Sequence, residues 1–202
     1  MKLNFVKYLI IILFLASCGN RKKEIREYGF KQKDTDSLNV SVRISEFENY
    51  GNFLDRLKEI VCHDSIPKIV LETENIIQNI YPIEYCEIPI FHPRFRNTFF
   101  IQKDSIIKNE RKVEFSELSM VMKQNFQNMG GKADFADSPE KVLFIFEYYE
   151  NKGVDGIEKY LEAITESYDY IQVKNELKIT FWRKIDVIPE FKNEELHYKT
   201  TE

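Results

Sequence analysis

The residues richest in chemical options in this 202-residue sequence are Cys62, His63, Cys86 and His92, two thiols and two imidazoles of the kind that hold zinc. Their spacing argues against a metal site. Zinc ligands usually come in pairs about two to four residues apart, and neighbours such as Cys62 and His63 on a helix point about 100° away from each other. No metal or cofactor is expected. In an oxidising compartment Cys62 and Cys86 read as a disulfide, with two buried free thiols as the alternative.

Two further groupings carry charge. Glu158 and Glu162 stand four apart on one face of a helical pattern. Paired carboxylates can do acid–base work, but at this spacing they more often form a solvated face. The segment Phe91-His92-Pro93-Arg94-Phe95-Arg96 interleaves aromatics with bases. Arg94 and Arg96 are candidate contacts for an anionic polymer or headgroup, since guanidinium offers planar bidentate donors. The competing reading is a proline-fixed connection whose Phe residues pack on the core while the arginines stay wet. Gly153-Val154-Asp155-Gly156 fits a turn before a helix. There is no G-x-S-x-G, H-E-x-x-H, G-x-x-x-x-G-K or G-x-G-x-x-G run, so the common hydrolase, zinc-protease and nucleotide folds lack their local signals and no catalytic residue is assigned.

The chain begins as an exported one. Lys2 and Lys7 precede an uncharged apolar run from Tyr8 to Ala16, the pattern of a secretory signal. A membrane-spanning helix needs about 20 apolar residues, and this run is shorter and meets Cys18-Gly19-Asn20 and then Arg21-Lys22-Lys23. The four residues Leu15-Ala16-Ser17-Cys18 resemble the lipobox of bacterial lipoproteins. That resemblance implies a signal peptide over residues 1–17, diacylglycerol on the Cys18 thiol, and acylation of the new amino terminus. The competing reading is an ordinary cleaved signal with a chance cysteine. Gly19 in place of Asp, by resemblance to enterobacterial lipoproteins, favours the outer over the inner membrane. Each buried methylene contributes about 0.8 kcal/mol, so two or three chains hold where one is marginal.

Composition bounds the remainder. The sequence is 43% hydrophobic and 14% aromatic, too apolar for a disordered chain, and its length suits one domain. The formal charge is −4 from 29 bases and 33 acids; losing Lys2 and Lys7 with the signal leaves 27 bases and −6. That balance argues against nonspecific binding to nucleic acid or to anionic lipid surfaces. Residues 18–39 are polar and charged and read as a lipidated cysteine followed by a flexible tether. Residues 40–202 read as the globular domain.

Within it, Val40-Ser41-Val42-Arg43-Ile44 alternates as a half-buried strand. Phe53, Leu54, Leu57, Ile60 and Val61 form a helical stripe with Asn49 or Asn52 as N-cap. Lys68 to Glu72 reads as a strand, and the stretch after it, holding Pro82, Pro89 and Pro93, as irregular or edge-like. Phe99-Phe100-Ile101 and Ile106-Ile107 suggest a hairpin. Phe115, Leu118, Met122, Phe126 and Met129 suggest a helix stopped by Gly130-Gly131. Val142 to Phe146 suggests a central strand, Val154 to Tyr168 another helix, and Leu177, Ile179 and Phe181 a closing strand. The fold class is α+β, a single sheet with helices packed on it.

From about residue 99 the order hairpin, helix, strand, helix, strand resembles the periplasmic domain of the ExbD and TolR family. The residues carrying it are Phe100-Ile101, Ile106-Ile107-Lys108-Asn109, Val113, Phe115-Ser116-Glu117-Leu118, the strand Val142 to Phe146, and the helix Val154 to Ile164. The resemblance implies a partner-binding domain on the wall side of the membrane. Members of that family keep a membrane helix with a proton-carrying aspartate. Here the apolar segment has no acid, so proton coupling is in doubt. Two functions follow: a non-enzymatic module, anchored to a membrane of the cell envelope, that binds an envelope protein or peptidoglycan; or an envelope enzyme, or enzyme subunit, whose site is scattered through the sequence.

Overall fold

In the computed structural model the described residues are 23–30, 38–87, 93–102 and 104–185. Cys18, the apolar segment before it, His92 and the chain after Ile185 lie outside them.

Local sequence explains the first half. Asn49 starts helix α1 (Tyr50–Cys62), its side chain accepting the Asn52 N–H at 2.9 Å, one of the donors that a helix start leaves unpaired. Phe53, Leu57 and Ile60 form the buried stripe of α1. Four strands surround it in sequence: β1 (Glu24–Gly29), β2 (Asn39–Val42), β3 (Ile66–Glu72) and β4 (Ile76–Tyr81), in the sheet order β1-β4-β3-β2. β2 and β3 are parallel across α1, β3 and β4 antiparallel, and β1 and β4 parallel.

Two expectations are corrected here. Residues 24–29 are a strand, although the polar composition of 18–39 reads as tether. Among them Tyr28 is buried, and its hydroxyl donates to Asp169 at 2.7 Å, so the segment is held by partners distant in sequence. Likewise β4 lies between β1 and β3 instead of at an edge, and Pro82 comes just after its end, where it interrupts no ladder bond. β1 ends at Gly29, which no other residue could replace easily. Its φ is +90° and an added Cβ would sit 2.2 Å from the Tyr81 carbonyl oxygen.

The second half contains β5 (Thr98–Gln102), β6 (Ser105–Lys108), β7 (Arg111–Val113), α2 (Phe115–Phe126), β8 (Leu143–Tyr148), α3 (Ile157–Ile171) and β9 (Ile179–Arg183). The sheet order is β7-β6-β5-β8-β9. β5 and β6 form the expected antiparallel hairpin with Phe100 opposite Ile107, and β5, β8 and β9 run parallel. α2 ends at Phe126, ahead of Gly130-Gly131. The loop beyond it is organised by asparagines: Asn125 Oδ1 accepts the Ala136 N–H at 2.9 Å, and Asn128 Nδ2 donates to the Ala136 carbonyl at 2.7 Å.

Among the described residues the fold is α+β, but with two mixed sheets and three α-helices instead of a single sheet. β3 and β4 pair with each other and recruit β1, so they close a sheet of their own. Helices lie between the two sheets. α1 packs on both β3 and β9, and α3, which joins β8 to β9, reaches the other sheet through Thr165, whose hydroxyl donates to Gln78 Oε1 at 3.1 Å. On α3 only Lys159, Glu166 and Tyr170 are exposed. Side chains from both halves form one hydrophobic cluster, with Phe53 against Phe181 at 5.1 Å and Tyr50 against Tyr148 at 5.2 Å between ring centres. Each such buried side chain contributes about 1.5–3 kcal/mol. The two halves differ in order: the β3–β4 hairpin follows its strand–helix–strand unit, whereas the β5–β6 hairpin precedes β8-α3-β9. Among the described residues no helix is long and apolar enough to cross a membrane.

Candidate functional site

Three surface features carry the chemistry. The first is a clasp over the edge of the second sheet. α1 ends at Cys62, whose sulfur is bonded to that of Cys86 at 2.06 Å, and both residues are exposed. His63 caps the helix, its Nδ1 lying 2.7 Å from the Glu59 carbonyl, and no group of three potential ligands that could hold a metal occurs among the described residues. The bond draws residues 82–86 alongside β9, an edge strand. The Ile83 N–H donates to the Ile179 carbonyl at 2.7 Å, and Glu84 Oε1 accepts the Phe181 N–H at 2.9 Å and the Thr180 hydroxyl at 3.4 Å. A carboxylate thus occupies the place of a missing neighbour strand. Burial pushes the Glu84 carboxyl up to about 8, opposed in part by those two donors.

The second feature gathers Arg94 and Arg96. Both face Asp137, Arg94 at 3.3 Å and Arg96 closer, with Lys141 at 3.7 Å and the Asn97 amide donating at 3.1 Å. The Asn97 hydrogen bond, then Arg96, Lys141 and Arg94, hold the Asp137 carboxyl below its ordinary value. The two arginines therefore tie the turn at residues 95–97 to the loop after α2. Beneath them the buried Lys108 donates to the main-chain carbonyl of Arg96 and lies over the Phe99 ring at 4.9 Å; burial lowers its ammonium to about 8. Phe95 is 66% exposed and leans on Phe100 at 5.7 Å between ring centres.

The third feature is the outward face of the first sheet, a shallow hollow of about 380 Å³ lined by Ile25, Ser41, Arg43, Lys68, Val70 and Ile77. Another hollow, of about 330 Å³, lies at the carboxyl ends of β5 and β8, with Gln102, Asp104, Glu147, Tyr148, Lys152 and Lys184 around it. The Tyr148 hydroxyl is buried with no hydrogen-bond partner among the described residues.

The other candidates do not converge. Glu158 accepts the Ser45 N–H at 3.3 Å, and Glu162, raised by burial and then by Glu166 and Glu158, lies one turn further along α3. Glu84, Lys108 and Asp137 escape sequence reasoning because each looks like a solitary loop or strand charge. A signal for the sheet face does exist: Val70 is apolar on the opposite side of the strand from Ile69 and Leu71. The chain matches no protein-family model, no curated protein and no solved structure.

Proposed function

We propose that this chain is a lipid-anchored protein of the bacterial cell envelope, modified at Cys18, whose folded body works by binding a partner. The observation that carries this reading is the Leu15-Ala16-Ser17-Cys18 match after an apolar signal, joined to a body that exposes the Cys62–Cys86 bond on its surface. Exposed disulfides persist in oxidising compartments and are reduced in the cytosol. The hairpin–helix–strand–helix–strand order of β5 to β9 supports kinship with the ExbD and TolR periplasmic domain, and through it a partner in the envelope or the wall. The second sheet would then be the domain that resembles that family, and the first sheet an addition to it.

Mass spectrometry of the mature amino-terminal peptide tests the anchor. An acylated Cys18 is expected, and Cys18→Ala should leave an uncleaved or soluble product; an unmodified terminus starting elsewhere would sink the idea. Crosslinking in intact envelopes followed by pull-down tests the binding role, with one envelope protein or wall fragment captured reproducibly. A specific observation also favours the enzyme reading, the buried Tyr148 hydroxyl, without a hydrogen-bond partner among the described residues, beside a polar hollow at the ends of parallel strands. Loss of the cellular phenotype in a folded, anchored Tyr148→Phe protein would move that reading ahead.

A further inference from the structure

The Cys62–Cys86 bond joins two pieces of chain that are held very differently. Cys62 is the last residue of α1, whose Phe53, Leu57 and Ile60 are buried in the core that both sheets share. That end is fixed. Cys86 lies on the irregular strap of residues 82–86 that follows β4, where Pro82 is buried, Ile83 and Glu84 are half-buried, and Tyr85 and Cys86 are exposed. Besides the disulfide, three hydrogen bonds among the described residues tie this strap to β9, from the Ile83 N–H to the Ile179 carbonyl and from the Phe181 N–H and Thr180 hydroxyl to Glu84. The last two share a single carboxylate oxygen. That carboxyl also gives up water to lie there, which works against the hold of its two donors. Few buried contacts and few bonds mark a segment that opens locally.

Both sulfurs stand where a nucleophile can reach them, since Cys62 and Cys86 are exposed. Access of this kind distinguishes labile disulfides from inert ones. The thiolate of an external dithiol attacks one sulfur, forms a mixed disulfide with it, and releases the other cysteine as a thiolate that takes up a proton. The second thiolate of the dithiol then attacks the mixed disulfide. The dithiol departs oxidised, as its own disulfide, and the remaining cysteine leaves as a thiolate and is protonated. Two electrons and two protons pass from the dithiol to the protein, which ends with two thiols.

We propose that the Cys62–Cys86 bond is a redox latch, which a dithiol reductant opens to free the strap from the edge of β9 while the body stays folded. Opening bares the Ile179 carbonyl and the Phe181 N–H, main-chain groups of the kind through which an edge strand accepts a neighbour. That stretch of edge is covered in the oxidised protein and open in the reduced one. The inference goes beyond the binding role of the body and holds whether or not Cys18 carries lipid.

The test is amide hydrogen exchange of the full mature chain in detergent, with and without dithiothreitol, with alkylation of the peptides containing Cys62 and Cys86 reporting the state of the bond. The buried Leu57 on α1 and Leu161 on α3 serve as internal references. Reduction should speed exchange at Phe181 by more than about tenfold beyond any rise that Leu57 and Leu161 share, with the far-ultraviolet circular dichroism unchanged. Oxidised glutathione should restore the original protection. An equal rise at all three positions would make the bond a staple of the whole fold and overturn the latch. So would a Phe181 amide that keeps its protection after both thiols are alkylated, or a bond that dithiothreitol does not open in the folded protein.

Discussion

The hydroxyl of Tyr50 on α1 donates to the carbonyl of Phe146 on β8 at 2.8 Å, and both residues are fully buried. A helix of the first half thereby satisfies a main-chain group of the second. The pair stands where the two sheets share one core, with Tyr148 and Phe53 packed on the same ring. Removing the hydroxyl deletes one buried hydrogen bond, which costs about 0.5–1.5 kcal/mol. Tyr50→Phe should lower the urea midpoint accordingly with an unchanged m-value. An unaltered midpoint would show that the two halves do not depend on this bond.

Charges placed on β8 should separate two positions on one face of the strand. Ile145 is wholly buried and Leu143 half-buried. An unpaired charge in a core costs several kcal/mol against a total stability of about 5–15 kcal/mol. Ile145→Asp should fail to fold, whereas Leu143→Asp should fold with a lower Tm. Equal loss in both, followed by circular dichroism, would contradict the burial difference.

The disulfide closes a loop with a sequence separation of 24. In the chain-entropy account a loop of this size contributes about 3 kcal/mol, with strain reducing the figure. Cys62→Ser paired with Cys86→Ser should lose stability on that scale and speed hydrogen exchange at Phe181, whose N–H Glu84 holds. Non-reducing peptide mapping of the native protein should recover the linked peptides, and two freely alkylated thiols would refute the bond.

Glu84 gives the fold a pH dependence of definite sign. Its value of about 8 in the folded protein lies above the ordinary 4.5, so the folded state keeps a proton that the unfolded chain releases between those limits. Stability from this group is full below about 4.5 and is lost as pH rises through about 8. Lys108, lowered from 10.5 to about 8, changes its contribution above that window. Glu84→Gln keeps an acceptor for Phe181 and should flatten the profile between the two limits. Denaturation curves with the same pH slope in both proteins would show that this carboxyl is not responsible.

The helices were legible because their periodicity is local: Phe53, Leu57 and Ile60 mark α1, Asn49 caps it, and Leu161 and Ile164 mark α3. The apolar run of β8 was legible for the same reason. Strand pairing was not. Nothing in Ile76-Ile77-Gln78-Asn79-Ile80 says that β1 will align with it, and β1 itself hides only Tyr28, whose partner Asp169 is 141 positions away. The charged features were hidden likewise. Glu84 meets a strand 97 positions later, and Asn97 meets Asp137 across 40. A residue type alone does not disclose whether its charge will face water or a main-chain donor.

The strand nearest the chain's start has a mechanical consequence. β1 joins β4 through six register pairs, from Glu24 with Ile76 to Gly29 with Tyr81, and Asp169 fastens it to α3 through Arg26 and Tyr28. Tension entering from the amino-terminal side and directed along the strand would strain these rungs together in shear instead of peeling them one at a time. A pull on β1 would therefore load the first sheet and α3 together.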